Sequence, residues 1–385
     1  MCPLRCAGNQ DVRLIASAYI GVVFLHPPHP MRFLLLFLVL IGYAIPASAQ
    51  SPGDRGDLDF AIGADVSFLK MAEENGTVFK DDGEAMPGLD ILRKHGYNWV
   101  RLRLFHTPDR LPNNLDYTIA LAQDAKARGF KFLLDYHYSD TWADPGKQFI
   151  PAAWEDLDVG TMADSVFQYT KRTIIAFREA GVMPDMVQIG NETRVGMLWP
   201  VGKLPDNWDN YARLTQAGID GVDAGLGDAP RPWIMLHYDQ GADPEGAHYF
   251  FSRFKDYGIE YDVIGLSYYP WWHGSLLKLR ETLLTLDSDF TQDIIVVEGA
   301  YNWRPSEYRN APDLAPFPES PEGQRDYLAS VMETILSTGS PKMKGFMWWE
   351  PMVTGGLRSR GYFDDDGNAL PVINVFDKYA RGINE

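Results

Sequence analysis

The stretch Met186–Pro200, MVQIGNETRVGMLWP, is where the fold can be read. Met186, Val187 and Ile189 form a short apolar run, and the polar pair Asn191-Glu192 follows as the run meets a Gly-bounded loop. A buried strand ending in Asn-Glu sets a carboxyl at the mouth of a barrel or sheet, where α/β enzymes keep their chemistry. Ile294 to Val297 has the same form and stops at Glu298. Two carboxyls on strand ends far apart in sequence are what glycoside hydrolysis needs, since one protonates the leaving oxygen while the other attacks or stabilises. Either glutamate alone reads more simply as a salt-bridged rim residue. The pair, with Trp199-Pro200 behind the first, points to catalysis.

Outward from this stretch, short apolar runs alternate with amphipathic segments in the rhythm of a parallel sheet. Eight strands are expected, near Phe60 to Val66, Trp99 to Leu104, Phe132 to Tyr136, Met186 to Ile189, Trp233 to Leu236, Val263 to Leu266, Ile294 to Val297 and Gly345 to Trp348. Helical patterns fill the gaps, for example Leu115 to Arg128 and Met162 to Ala180, each followed by a glycine where a C-terminal cap belongs. Eight such units make a single-domain (β/α)8 TIM barrel the economical α/β fold. A doubly wound sheet would have fewer strands and an early Gly-rich phosphate loop, which is missing. The Pro-rich stretch Pro305 to Pro321 lies between the seventh strand and its helix, so it reads as a site loop and not as a linker.

The 385 residues are 45% hydrophobic and 13% aromatic, enough to bury a core with no disulfide or metal. Residues 1–49 stand apart from that core. Met31-Arg32 opens a basic region, Phe33 to Ile45 is a short apolar run, and Ala47-Ser48-Ala49 is a small-residue cleavage site, so 31–49 reads as a secretory signal peptide. A signal peptide should begin at the N-terminus, which makes residues 1–30 upstream mis-translation and 50–385 the catalytic domain. Both cysteines, Cys2 and Cys6, fall in the upstream part. The expected address is therefore secreted or periplasmic, without disulfides or an acylated anchor. Removing residues 1–49 takes three basic and one acidic side chain from totals of 35 and 52, moving the net charge from −17 to −19. That balance argues against nucleic acid or an anionic membrane surface as partner and suits a neutral ligand.

Polar and aromatic residues gather where the strands should open. Arg101 and Arg103 lie two apart and so point to one side; Arg101 is a candidate partner for Glu298, with a surface pair as the alternative. After the third strand comes Asp135-Tyr-His137-Tyr-Ser-Asp140-Thr-Trp142, where His137 reads as a hydrogen-bond partner for sugar hydroxyls, a metal ligand beside Asp135 or Asp140, or a structural histidine. The six histidines after residue 49 are scattered and no HExxH or HxxxH pair exists, so no metal and no cofactor are expected. Strand five ends in His237-Tyr-Asp239, strand six in Ser267-Tyr268-Tyr269-Pro-Trp271-Trp272 and strand eight in Trp348-Trp349-Glu350. Pyranose rings stack their C–H faces on such aromatics and need Asn, Asp, His and Tyr for their hydroxyls, so the constellation suggests a polysaccharide cleft.

GADVSFL, NWVRLRLF, DYHYSDTWADPGKQ, QIGNETRVGMLWPVG, IMLHYDQGAD, GLSYYPWWHGSL, VVEGAYNW and FMWWEPM resemble, in order, the endo-β-1,4-galactanases of glycoside hydrolase family 53. The resemblance implies a (β/α)8 barrel with Glu192 as acid/base and Glu298 as nucleophile, surrounded by Arg101, His137, Asn191, Tyr268 and Trp349. Asp239 and Trp142 join them as candidate substrate contacts. Two departures stand out: Gly299 replaces a small hydroxyl residue usual after the nucleophile, and the calcium-binding segment some bacterial members carry after strand seven is missing. A retaining, monomeric enzyme acting on the galactan side chains of pectin is expected. The alternatives are another β-glycanase of the clan, such as a mannanase or exo-β-galactosidase, and a non-catalytic glycan-binding barrel. The axial C4 oxygen of β-1,4-galactan bends the chain at every link, which suits tryptophans drawn from separate loops (Trp142, Trp199, Trp271, Trp272, Trp303, Trp349).

Overall fold

The computed structural model describes residues 56–307, 317–353 and 359–378. The upstream segment and signal peptide expected at 1–49 therefore lie outside the described residues. Eight parallel strands close into a barrel: β1 (Ala61–Asp65), β2 (Trp99–Leu104), β3 (Lys131–Tyr136), β4 (Met186–Ile189), β5 (Trp233–Tyr238), β6 (Val263–Tyr268), β7 (Asp293–Gly299) and β8 (Met343–Trp349). Each pairs with the next, and β8 returns to β1 with Gly345 opposite Ala61. All eight expected strands overlap observed ones.

Among the described residues, the main helix in each of the seven gaps between strands is α1 (Gly88–Lys94), α2 (Leu115–Ala127), α3 (Val159–Glu179), α4 (Trp208–Gly225), α5 (Pro244–Asp256), α6 (Leu276–Asp289) and α7 (Pro321–Leu336). After β8 a 3-10 segment, Pro371–Phe376, packs on α7 and sets Phe376 edge-on to Tyr97, 5.0 Å between ring centres. Helix α3 begins three residues before the expected Met162 because the Asp158 carboxylate caps it, accepting from the N–H of Gly160 at 2.7 Å and of Thr161 at 3.0 Å. Among the described residues no helix is long and apolar enough to cross a membrane.

Period-two alternation divides the barrel interior into two levels. Trp99, Leu133, Met186, Met235, Val263, Ile295 and Met347 fill the lower level as a buried apolar cluster. One or two inward positions further along the strands stand Asp65, Arg101, Arg103, Asp135, Gln188, His237 and Ser267, all buried. Strand β7 breaks the rule. Leu266 faces Val296 and Ser267 faces Glu298, so Val297 is an extra residue. Val297 already points into the apolar cluster, and strict alternation would turn the next side chain outward. The bulge turns Glu298 back into the barrel.

Candidate active site

Arg101 is the hub of the polar level. Its Nη1 lies 2.8 Å from Asp65 Oδ2 and 2.7 Å from Glu298 Oε1, and its Nη2 lies 2.9 Å from Asp135 Oδ2 and 2.7 Å from Asn191 Oδ1. Gln188 Oε1 accepts from Nε and Nη2 at 3.3 Å. A fully buried guanidinium is tolerated only when its charge and donors are matched, and here they are. Burial alone would raise Asp135, but Arg101 and His137 outweigh it and hold its pKa at about 2. The surface-pair alternative for Arg101 is thereby excluded.

Glu192 sits just past β4 with a left-handed backbone, φ +49°. Residues other than glycine seldom adopt this conformation, and here it swings the carboxyl across the barrel mouth. Beneath it Gln148 donates to the Asn191 carbonyl at 2.9 Å, and Asn191 Nδ2 donates to the Ala143 carbonyl at 2.9 Å. Behind it the GMLWPVG stretch folds into a tight antiparallel pair, Gly196–Met197 with Gly202–Lys203. Gly196 is required there: φ is +82° and a Cβ would lie 1.9 Å from the Gly202 carbonyl oxygen. Glu192 Oε1 accepts from Ser267 Oγ at 2.8 Å, while Glu298 Oε2 accepts from the Tyr269 hydroxyl at 3.1 Å. One carboxylate oxygen of each glutamate and one His237 nitrogen all lie within 4.8 Å of one another.

The two carboxyls differ in what surrounds them. Burial, and then the charges of Glu298 and Asp239, push Glu192 well above the usual carboxylate range. Burial, with the charges of Asp135 and Asp65, leaves Glu298 raised too, but Arg101 and the Tyr269 hydroxyl oppose the rise, and among the described residues no cation opposes it at Glu192. Glu298 is therefore the first to ionise, and its charge keeps the proton on Glu192.

A cavity of about 140 Å³ opens over this pair. Of the candidate site residues, His137, Trp142, Asn191, Glu192, Glu298 and Trp349 line it. His137 donates from Nε2 to Asp135 at 3.0 Å and accepts at Nδ1 from the Ala143 N–H at 3.0 Å, so both ring nitrogens are engaged. Three expected residues do not line it: Arg101 reaches Glu298 from the buried polar level, and Tyr268 and Asp239 lie elsewhere. Tyr268 continues the alternation of β6 and points outward, donating to the Gly274 carbonyl at 2.8 Å and stacking on Tyr327 of α7. The phenol in the pocket is Tyr269, one residue on. Asp239 is held by Arg194 Nε at 2.9 and 3.1 Å and acts on Glu192 through its charge. Sequence reading also missed Arg360, whose guanidinium stands 5.1 Å from the Trp271 ring and 5.7 Å from Trp349, and Arg103, which lies between Phe68 (4.7 Å) and Trp142 (4.6 Å). Only the spacing of Arg101 and Arg103 hinted at the second.

Glu192, His237 and Glu298 offer three donor atoms close enough to surround a cation. Their hydrogen bonds are already assigned: Glu298 Oε1 to Arg101, Glu192 Oε1 to Ser267, and the His237 nitrogens to Ser267 and the Glu192 N–H. In the Asp364–Gly367 turn the Asp364 carboxylate is likewise occupied, accepting from the N–H groups of Asp366 and Asn368. Chelation with EDTA is expected to leave melting temperature and activity unchanged; a melting temperature that falls and recovers with Ca²⁺ would contradict this.

Glu350, directly after β8, is buried against Arg103, and its Oε2 has no hydrogen-bond partner among the described residues. Burial outweighs Arg103 and pushes its pKa up to about 8. A pKa raised on folding favours the protonated form, so this contribution to stability is full below pH 4.5 and is lost as pH rises through about 8. Unfolding free energy is expected to fall across that window by up to a few kcal/mol from this group, and Glu350→Gln should flatten the slope. Denaturant melts of both proteins at pH 5 and pH 8.5 measure it. Gly299, the departure beside Glu298, is explained by packing: a Cβ would approach the Phe346 ring to 2.8 Å and the Tyr268 carbonyl oxygen to 3.0 Å.

A closed barrel that brings two glutamates of opposed ionisation to its open end, beneath an aromatic rim, has the makings of a glycoside hydrolase. The family model described as Glycosyl hydrolase family 53 matches residues 61–378. The chain belongs to that family. It is 34% identical over 334 residues to the arabinogalactan endo-β-1,4-galactanase of Thermothelomyces thermophilus, covering 82% of this chain and 98% of that one. The arabinogalactan endo-β-1,4-galactanase of Cellvibrio japonicus is 34% identical over 321 residues, 79% of this chain and 84% of its own. Among solved structures, the family 53 catalytic domain of Ignisphaera aggregans superposes with TM-score 0.78 at 31% identity, covering 85% of this chain and 98% of that one. A fungal β-1,4-galactanase superposes with TM-score 0.76 at 33% identity, covering 84% and 100%.

Proposed function

We propose that the chain is a retaining endo-β-1,4-galactanase, exported from the cell, that hydrolyses the galactan side chains of pectin and type I arabinogalactan. The retaining mechanism is carried by one observation, the approach of Glu192 and Glu298 oxygens to within 4.8 Å. Retaining glycosidases hold their carboxyls about 5 to 5.5 Å apart, whereas inverting ones leave about 6.5 to 9.5 Å for a water. Glu298, ionised first and aimed by Arg101 and Tyr269, attacks C1; Glu192, protonated, donates to the glycosidic oxygen and then takes a proton from the attacking water. The substrate is supported by the relatives named arabinogalactan endo-β-1,4-galactanases. Export is supported by the sequence of residues 31–49.

The test is a product profile on linear β-1,4-galactan beside mannan, xylan and polygalacturonate, with the anomer of the first product read by NMR. Short galacto-oligomers released as the β-anomer, with no cleavage of polygalacturonate, are expected. An aryl β-galactoside should be a poor substrate, because one sugar fills too few subsites to lower the barrier. Faster cleavage of the aryl galactoside than of polymer, or preference for mannan, would overturn the assignment.

A further inference from the structure

Behind the Glu192 carboxyl, three residues from three elements close a ring of hydrogen bonds. The backbone N–H of Glu192 donates to His237 Nδ1 at 3.3 Å, His237 Nε2 lies 2.9 Å from Ser267 Oγ, and Ser267 Oγ donates to Glu192 Oε1 at 2.8 Å. The ring has a direction. A backbone N–H can only donate, so Nδ1 is the acceptor and the imidazole proton sits on Nε2. The other neighbour of Nδ1, Asn191 Oδ1 at 3.1 Å, already accepts from Arg101 Nη2 at 2.7 Å and Gln188 Nε2 at 3.2 Å. With Nε2–H donating to Ser267 Oγ, the serine hydroxyl must give its own hydrogen to Oε1. Oε2 receives no hydrogen bond from the described residues. His237 and Ser267 are both fully buried and neither lines the pocket.

We propose that His237 and Ser267 are positioning residues that decide which oxygen of Glu192 carries the catalytic proton, reserving Oε1 as a permanent acceptor and Oε2 for the proton exchanged with substrate. This rests on the acid/base role given to Glu192 above. In the first step the Oε2–H bond breaks as the proton passes to the glycosidic oxygen, whose bond to C1 breaks while a Glu298 oxygen bonds to C1. In the second a water oxygen bonds to C1, the Glu298–C1 bond breaks, and the water's proton returns to Oε2. The Ser267 hydroxyl donates to Oε1 throughout, so neither Ser267 nor His237 exchanges a proton. Both protonation states of Glu192 thus meet the same fixed donor, and the carboxyl does not rotate between the two half-reactions. The charged groups facing Glu192 are Glu298 on β7, Asp239 after β5 and Asp144 in the loop after β3.

The test compares Ser267→Ala and Ser267→Thr with the parent on aryl glycosides of β-1,4-galactobiose with graded leaving groups. Phenol needs the acid's proton to depart and dinitrophenol does not. Ser267→Ala should lose about 10- to 100-fold in kcat/KM on the phenyl glycoside, part of what general acid catalysis supplies, and under about 3-fold on the dinitrophenyl one. Ser267→Thr, keeping the hydroxyl, should recover most of the loss. An equal loss on both substrates would overturn the proposal, because a merely misfolded pocket ignores the leaving group. The carboxyl ¹³C titration of Glu192, which uses no sugar, should move upward in Ser267→Ala because a donor to the charged form is lost. An unmoved titration counts against the relay. A parent enzyme inert on every galactobioside counts instead against the galactan assignment.

Discussion

Replacing Glu298 with alanine is expected to lower kcat on galactan by on the order of 10⁴-fold or more, as deletion of a covalent nucleophile does elsewhere, and azide should then restore turnover with inverted geometry. Azide occupies the space of the lost carboxyl and attacks from the face opposite the leaving group, giving the α-galactosyl azide. Glu192→Ala should instead form the glycosyl-enzyme on activated substrates and yield the β-galactosyl azide, because azide enters where the acid/base stood. NMR of the two products distinguishes the roles, and exchanged anomers would reverse them. The expectation follows from the neighbours of each group: Arg101 at 2.7 Å and the Tyr269 hydroxyl at 3.1 Å stabilise a charged Glu298, whereas Glu192 has one serine hydroxyl at 2.8 Å and faces negative charge.

Arg101→Met should be the most damaging substitution to the fold. The guanidinium touches Asp65, Asp135 and Glu298 at 2.7 to 2.9 Å, and without it these carboxyls are left buried with no central cation. Breaking a buried pair by removing one partner costs about 3 to 5 kcal/mol, so a drop of at least that size in unfolding free energy is expected, with activity lost as well. Arg101→Lys should recover little, since one ammonium cannot replace a planar fork that serves five partners. Chemical denaturation at pH 7 measures both. A loss under about 1 kcal/mol would mean that the carboxylates are matched by other groups.

The barrel was legible because each strand is a short apolar run bounded by polar or Gly-rich turns, and the eight runs alternate with helical patterns. The strand-end positions of Glu192 and Glu298 and the inward side of Arg101 were legible for the same reason. What was hidden lies where alternation stops. Tyr268 and Tyr269 are adjacent and chemically alike, so choosing between them needs the phase at the last residue of β6. The bulge at Val297 leaves no mark in VVEGAY, although without it Glu298 would face away from the pocket. Asp239 stood in the right place by sequence, but its ion pair with Arg194 depends on a loop whose path no local pattern encodes. Arg360 lies after β8 in the chain and has no periodic neighbour to announce it.

The two levels of the barrel carry a consequence for how such an enzyme can change. Arg101, Asp65, Asp135, Gln188, His237 and Ser267 are fixed in strands, whereas Trp142, Trp272 and Arg360 stand on connecting segments beyond the strand ends. The reaction machinery and the sugar-gripping rim are thus inherited in separate parcels of backbone. A rim segment that makes no bond to the ion network can be lengthened, shortened or traded during divergence while that network stays wired as it is, whereas 138–151, which holds Asn191 and His137 through Ala143 and Gln148, is tied to it.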